Sequence, residues 1–141
     1  MSKIEASQFK RLIGNWRTSG NIQSDNKTLK LSGNDCYEFV LGGNFILHKA
    51  EVLMGKVKSE TIEMISPGNS VDKATMQYFN SRGESGGMTS QISGDNFQIH
   101  GDRIRFSGTI NHENTRVTGK WYLQEETGDW SEYIALTLEK P

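Results

Sequence analysis

The sequence predicts an all-β protein, a closed antiparallel up-and-down barrel of about eight to ten strands preceded by one short helix. Three observations carry that expectation. From Asn15 onward, short runs alternate apolar and polar residues with period two, separated by Gly, Asn, Asp and Ser clusters about 8 to 12 residues apart. The connections are tight turns, without the helical crossovers that parallel pairing needs. Fifteen glycines against two prolines supply turns while leaving the strands able to donate their amides. A sheet of this kind must close or leave sticky edges, and a sandwich is the structural rival to the barrel.

The elements follow in order. Ser2 and Glu5 have capping-box spacing, and Phe9, Leu12 and Ile13 share one face, so a helix is expected over about 3–13, ended by Gly14. Three runs then alternate cleanly: Trp16, Thr18, Gly20, Ile22; Ile104, Phe106, Gly108, Ile110; and Val117, Gly119, Trp121, Leu123. A loop over 112–115 pairs Asn111 with Arg116, which sets Phe106 opposite Trp121 and Ile110 opposite Val117, so apolar meets apolar along the whole hairpin. Gly42-Gly43 marks a two-residue turn, because glycine enters positive φ without a Cβ clash. Counting back from Leu41 and Asn44 gives an inner face of Tyr37, Phe39, Leu41, Ile46, His48, Ala50, Val52 and Met54. At Gly55-Lys56 two registers are open, one turning Val57, Ser59, Thr61 and Glu63 inward and the other Lys58, Glu60, Ile62 and Met64.

At 141 residues the chain is expected to be one domain, 1–141, with strands from about 15 to 138. A hydrophobic content of 34%, a charged content of 23% and a net charge of −1 describe a globular protein with no global attraction for phosphate backbones or anionic lipid, so neither nucleic acid nor membrane is an expected partner. The lone Cys36 cannot form an internal disulfide. The opening stretch has neither the apolar core nor the cleavage site of a secretory signal, and the expected location is cytoplasmic. No apolar run approaches the roughly 20 residues of a membrane span.

Gly14-Asn15-Trp16, after a short helix and opening the first strand, resembles the Gly-x-Trp start of lipocalin-type barrels. The run Tyr37-Glu38-Phe39-Val40-Leu41-Gly42-Gly43-Asn44-Phe45, then Gly55, and then the aromatic strand near Tyr78 leading to Gly83 and Gly86-Gly87, resemble a bacterial lipocalin-like, calycin-type family of unknown function over most of the chain. The resemblance implies a barrel and a cavity. It supplies no catalytic residues, and it departs from the family pattern between Trp130 and Leu138.

Candidate chemistry centres on His48, since an inward imidazole can hydrogen-bond a ligand, relay a proton or bind a metal. A core histidine satisfied by its neighbour Tyr37 is the plainer reading. Glu60 or Glu63 comes near His48 depending on register, with a position at the barrel mouth favoured because a buried carboxylate needs a partner. Glu132 shares parity with Trp130, Ile134, Leu136 and Leu138 and is expected to face inward. Trp16, Tyr78, Met88 and Trp121 are candidates for the walls of a pocket, each also readable as ordinary core. No His-x-x-His or Glu-x-x-His spacing supports a metal site, no glycine-rich stretch opens a helix as a phosphate cradle does, and no cofactor is expected. His100 and His112 read as turn residues. On the outer face, Arg103, Arg105, Lys120 and Tyr122 cluster on one hairpin, and Val40, Phe45 and Leu47 form an apolar patch that the helix or a second copy of the chain could cover.

The leading functional expectation is a non-enzymatic protein that binds a small hydrophobic or amphipathic molecule inside the barrel, with Trp16, Tyr37, His48, Tyr78, Met88, Trp121 and Glu132 as candidate contacts. The alternatives are a small barrel enzyme using His48 with an inward glutamate, haem binding through His48, and a filled barrel acting through its outer patch.

Overall fold

The computed structural model describes residues 3–141. Ten strands run β1 (Gly14–Ser24), β2 (Lys27–Val40), β3 (Phe45–Met54), β4 (Val57–Pro67), β5 (Lys73–Asn80), β6 (Ser85–Ser93), β7 (Asn96–His100), β8 (Ile104–Ile110), β9 (Arg116–Gln124) and β10 (Trp130–Glu139). Each pairs antiparallel with its sequence neighbours, and β1 pairs with β10 to close the barrel, so no strand edge is left open. Among the described residues no helix is long and apolar enough to cross a membrane.

Two hairpins have the register that side-chain matching dictates. Phe106 lies opposite Trp121 and Ile110 opposite Val117, and the Asn111 amide donates to the Arg116 carbonyl at 2.9 Å. Tyr37 faces His48 and Phe39 faces Ile46. The turn between β2 and β3 departs from expectation. Its ladder ends at Val40 and Phe45, because Leu41 itself takes a left-handed φ of 53° along with Gly42 and Gly43. Leu41 therefore sits outside the barrel, 68% exposed, and not on the inner face.

The N-terminal segment also differs. In place of a continuous helix over 3–13 there are two 3-10 turns, Ile4–Ala6 and Gln8–Leu12. Ser7 separates them: its extended backbone breaks the helix, its hydroxyl donates to the Ile4 carbonyl at 2.7 Å, and it accepts the Phe9 amide at 3.1 Å. Ser2, the expected cap, lies outside the described residues. The turns stopper one end of the barrel. Ile4 and Glu5 amides bond to the β2–β3 turn and Gln8 to the β4–β5 turn, while the Arg11 guanidinium reaches the Gly94 carbonyl, the Asp95 carboxylate, the Asn111 carbonyl and the Asn114 side chain. Beneath them Ile4, Phe9, Leu12 and Trp16 are fully buried.

Burial along the inner face is graded. Toward the stopper, Ile46, Ile65, Ala74, Met76, Ile92, Ile110, Val117 and Leu138 are all buried. Toward the opposite end, Ala50, Val52, Met54, Thr61, Tyr78, Met88, Ile104, Trp121 and Leu136 face inward yet are only half-buried. Ile22, Leu31, Ser59 and Phe106 are buried inward residues of this opposite end, so the stoppered end is packed throughout while the other half is only partly filled, with accessible space beside the half-buried side chains. Glycine permits the tight curvature of β8 and β9: a Cβ on Gly119 would lie 2.5 Å from Phe106 Cζ and 2.6 Å from the Ser107 carbonyl oxygen. Val40, Phe45 and Leu47 lie half-buried on the outer wall.

Candidate functional site

One cross-strand row of inward side chains sits directly above the packed floor. Tyr37 on β2 pairs with His48 on β3, His48 with Glu63 on β4, Glu63 with Tyr78 on β5, and Tyr78 with Gly86 on β6. Neighbours on one sheet face are close enough for direct contact, and here each contact is polar or aromatic. His48 Nδ1 meets Glu63 Oε1 at 3.0 Å and Nε2 meets Asp35 Oδ2 at 2.6 Å. Asp35 Oδ1 accepts the Thr18 hydroxyl from β1. The imidazole stacks flat on Tyr37, ring centroids 3.9 Å apart and 8° between planes. Tyr78 lies over Gly86, where an added Cβ would come within 2.9 Å of the ring.

Burial alone would lower the His48 pKa, but hydrogen bonds and proximity to Asp35 and Glu63 outweigh it and raise it from 6.5 to about 9. The ring is an imidazolium at neutral pH, donating one N–H to each carboxylate. Tyr37 is held well above its ordinary value, first by burial and then by the charges of Asp35 and Glu63, so its phenol stays neutral. Asp35 accepts one hydrogen bond on each oxygen, from Thr18 and from His48. Glu63 Oε2 and the Tyr37 hydroxyl make no hydrogen bond to the described residues, and among these no fully buried side-chain oxygen lacks a partner. Both atoms therefore touch accessible space, as does the Tyr78 hydroxyl, which likewise has no hydrogen-bond partner among the described residues.

The structure sorts the predicted residues. His48 and Tyr37 come together as the pairing required. At Gly55-Lys56 the register that turns Val57, Ser59, Thr61 and Glu63 inward is adopted, while Glu60 faces out and pairs with Lys58 at 3.3 Å. Glu63 is 6% exposed in mid-barrel, not at the mouth, because His48 partners it. Tyr78, Met88 and Trp121 border the open half. Trp16 is in the floor, its indole N–H donating to the Leu12 carbonyl at 2.8 Å, and does not reach the lumen. The inward placement of Glu132 is overturned. A β-bulge between Glu132 and Ile134 shifts parity, so Glu132 lies opposite Tyr122 on the outer wall and pairs with Lys120 at 3.1 Å. The same bulge turns Trp130 outward, under the Arg105 guanidinium at 4.3 Å.

Asp35 and Thr18 complete the row's hydrogen bonding without being candidates from the sequence, although Thr18 lies in the alternating run with Trp16 and Asp35 shares parity with Tyr37.

No group of three or more His, Cys, Asp or Glu among the described residues could hold a metal ion. Both His48 nitrogens are occupied by carboxylates, which leaves no lone pair for an axial bond to haem iron. Across the inward positions of the ten strands, Asp35, His48 and Glu63 are the only residues of the Asp, Glu, His, Lys and Arg classes among the described residues that are not exposed; Lys27, of the same parity, is exposed at the far end of β2.

No protein-family model and no curated protein matches this chain. Among solved structures it is similar to Rv2717c from M. tuberculosis, with a TM-score of 0.76 at 10% identity, covering 100% of this chain and 99% of that one. It is also similar to the S-type phycobiliprotein lyase CPES from Guillardia theta, with a TM-score of 0.60 at 14% identity, covering 93% of this chain and 88% of the lyase. At such identities the likeness concerns the fold, and with the closed ten-stranded meander it shows that the chain has a lipocalin-like, calycin-type barrel fold.

Proposed function

We propose that this barrel binds a small molecule with a hydrophobic body in the open half of its lumen, the polar end resting on the row at Tyr37, His48 and Glu63. The observation that carries the reading is the pairing of a partly filled half-lumen with three polar atoms that lack a hydrogen-bond partner among the described residues, Glu63 Oε2 and the hydroxyls of Tyr37 and Tyr78. Tyr78, Met88 and Trp121 supply apolar and aromatic wall around a few placed polar groups, the usual composition of a ligand site. Trp16 supports the floor without touching the ligand.

A catalytic reading draws on the same 3.0 Å contact between His48 and Glu63. It is the weaker one. An imidazolium that keeps its proton to about pH 9 is a poor general base near neutrality, and both its N–H groups are already committed. Native mass spectrometry of freshly purified protein, against the same sample denatured and with an absorbance spectrum alongside, tests the binding reading. A mass excess that disappears on denaturation, and that is lost in Trp121→Ala while the barrel remains folded, is the expected result. A folded Trp121→Ala protein that carries the same ligand equally well removes the lumen as the site.

A further inference from the structure

We propose that the polar end of the ligand is a hydrogen-bond donor, and in the favoured case a cation such as a protonated amine, and not a carboxylate or phosphate. The inference rests on the lumen-binding reading and deepens it by naming the head-group chemistry that the row selects.

Charge on the row comes from one imidazolium and two carboxylates, leaving an excess of one negative charge inside the barrel. No buried Lys or Arg among the described residues offsets it, and Lys27, of inward parity, is exposed at the far end of β2. Arg82, beyond the end of β5, stands at the rim: it bonds to the Ser59 hydroxyl at 3.2 Å and is paired with Glu84 at 2.9 Å. Both N–H groups of His48 are consumed within the row, so the imidazolium offers no donor to an incoming anion. What the row presents to the lumen is Glu63 Oε2, a pure acceptor bearing charge, and the hydroxyls of Tyr37 and Tyr78, neutral groups able to accept or donate. A carboxylate or phosphate placed there would add a further negative charge in a poorly screened interior with only neutral phenols to receive it. An ammonium would donate to Glu63 and to a tyrosine oxygen and neutralise the excess charge.

The test is displacement of N-phenyl-1-naphthylamine, a neutral fluorescent probe, by three compounds sharing one alkyl chain: dodecylamine, dodecan-1-ol and dodecanoate at neutral pH. Dodecylamine is expected to displace the probe at least about tenfold more tightly than dodecanoate, with the alcohol between. In Glu63→Gln the amine's advantage over dodecanoate should collapse while the probe still binds, and Tyr37→Phe should keep the order with weaker binding throughout. Dodecanoate binding as tightly as dodecylamine in the unmodified protein overturns the head-group inference and leaves the lumen reading standing. Failure of the probe to bind, with no detectable binding of the three alkyl compounds by calorimetry, overturns the lumen reading and the inference with it.

Discussion

Raising the pH through the slightly alkaline range should destabilise this barrel, and the size of the effect follows from His48. Folded, the imidazole holds its proton up to about 9, against an ordinary value of 6.5. Burial works against that proton, and the contacts to Asp35 and Glu63 more than reverse it. Because the folded chain binds the proton more tightly than the unfolded chain, the contribution is complete below pH 6.5 and is lost as pH rises toward 9. At about 1.4 kcal/mol per pH unit, the span between the two values corresponds to a loss of about 3 kcal/mol. That is a large share of the roughly 5–15 kcal/mol by which a domain is stable. Tyr37 acts in the same sense at higher pH, since its raised folded pKa means that stability falls again once an unfolded tyrosine ionises. Urea unfolding at intervals between pH 6 and pH 10, analysed for midpoint at constant slope, reads this directly. Glu63→Gln removes one of the two carboxylates that hold the proton, so its midpoint should vary less over the same interval. A midpoint that stays level from pH 6.5 to 9 in the unmodified protein, or an equal pH response in Glu63→Gln, would refute the assignment of His48 as a doubly bonded imidazolium.

Two further outcomes test the wall of the barrel. Gly119→Ala should cost about 1–3 kcal/mol or more, because its Cβ would stand 2.5 Å from Phe106 Cζ and 2.6 Å from a backbone oxygen. Gly87→Ala, whose Cβ finds nothing nearer than 3.8 Å, should be tolerated; similar urea midpoints for the two variants would contradict the close approach of β8 and β9. Glu132→Gln should leave both the melting temperature and ligand retention unchanged, since this carboxylate meets only the exposed Lys120. Loss of ligand in that variant would mean that Glu132 points inward and that the bulge in β10 is misplaced.

How far the sequence reached depends on what set each register. In the hairpin of β8 and β9, and in that of β2 and β3, a turn fixes the count and apolar partners match on every second residue, so Phe106 with Trp121 and Tyr37 with His48 could be paired on paper. The turn at Gly55-Lys56 fits two registers equally well by composition. Only packing against both neighbouring strands selects the one that turns Glu63 inward. In β10 the alternation of Trp130, Glu132, Ile134, Leu136 and Leu138 is unbroken in the sequence, yet one extra residue at the bulge places its first two members on the other face. No periodicity reveals such a bulge. The N-terminal segment fails as a helix for a different reason, since its apolar spacing is helical but Ser7 satisfies neighbouring backbone groups in an extended conformation.

The position of the polar row says as much about its role as its composition. Burying an imidazolium between two carboxylates is expensive in desolvation, and an apolar set of similar volume commonly gives a fold at least as stable. The core immediately below, Ile46, Ile65 and Met76, is built that way. The change from apolar to charged occurs over one step along each strand, from Ile46 to His48 on β3 and from Ile65 to Glu63 on β4, at the level above which half-buried inward side chains begin. On the binding reading, a polar layer laid on a solid floor and beneath a partly filled half-lumen is placed to meet something that enters from the far end. On the binding reading this also fixes the ligand's direction: head group down against Glu63 and Tyr37, apolar body upward along Tyr78, Met88 and Trp121, toward the exposed rim at Val57 and Leu123. Lengthening an alkyl chain on a bound amine should therefore strengthen binding until the chain reaches that rim and then stop, whereas a head-outward ligand would place its growing chain against the charged row and bind less well with each added carbon.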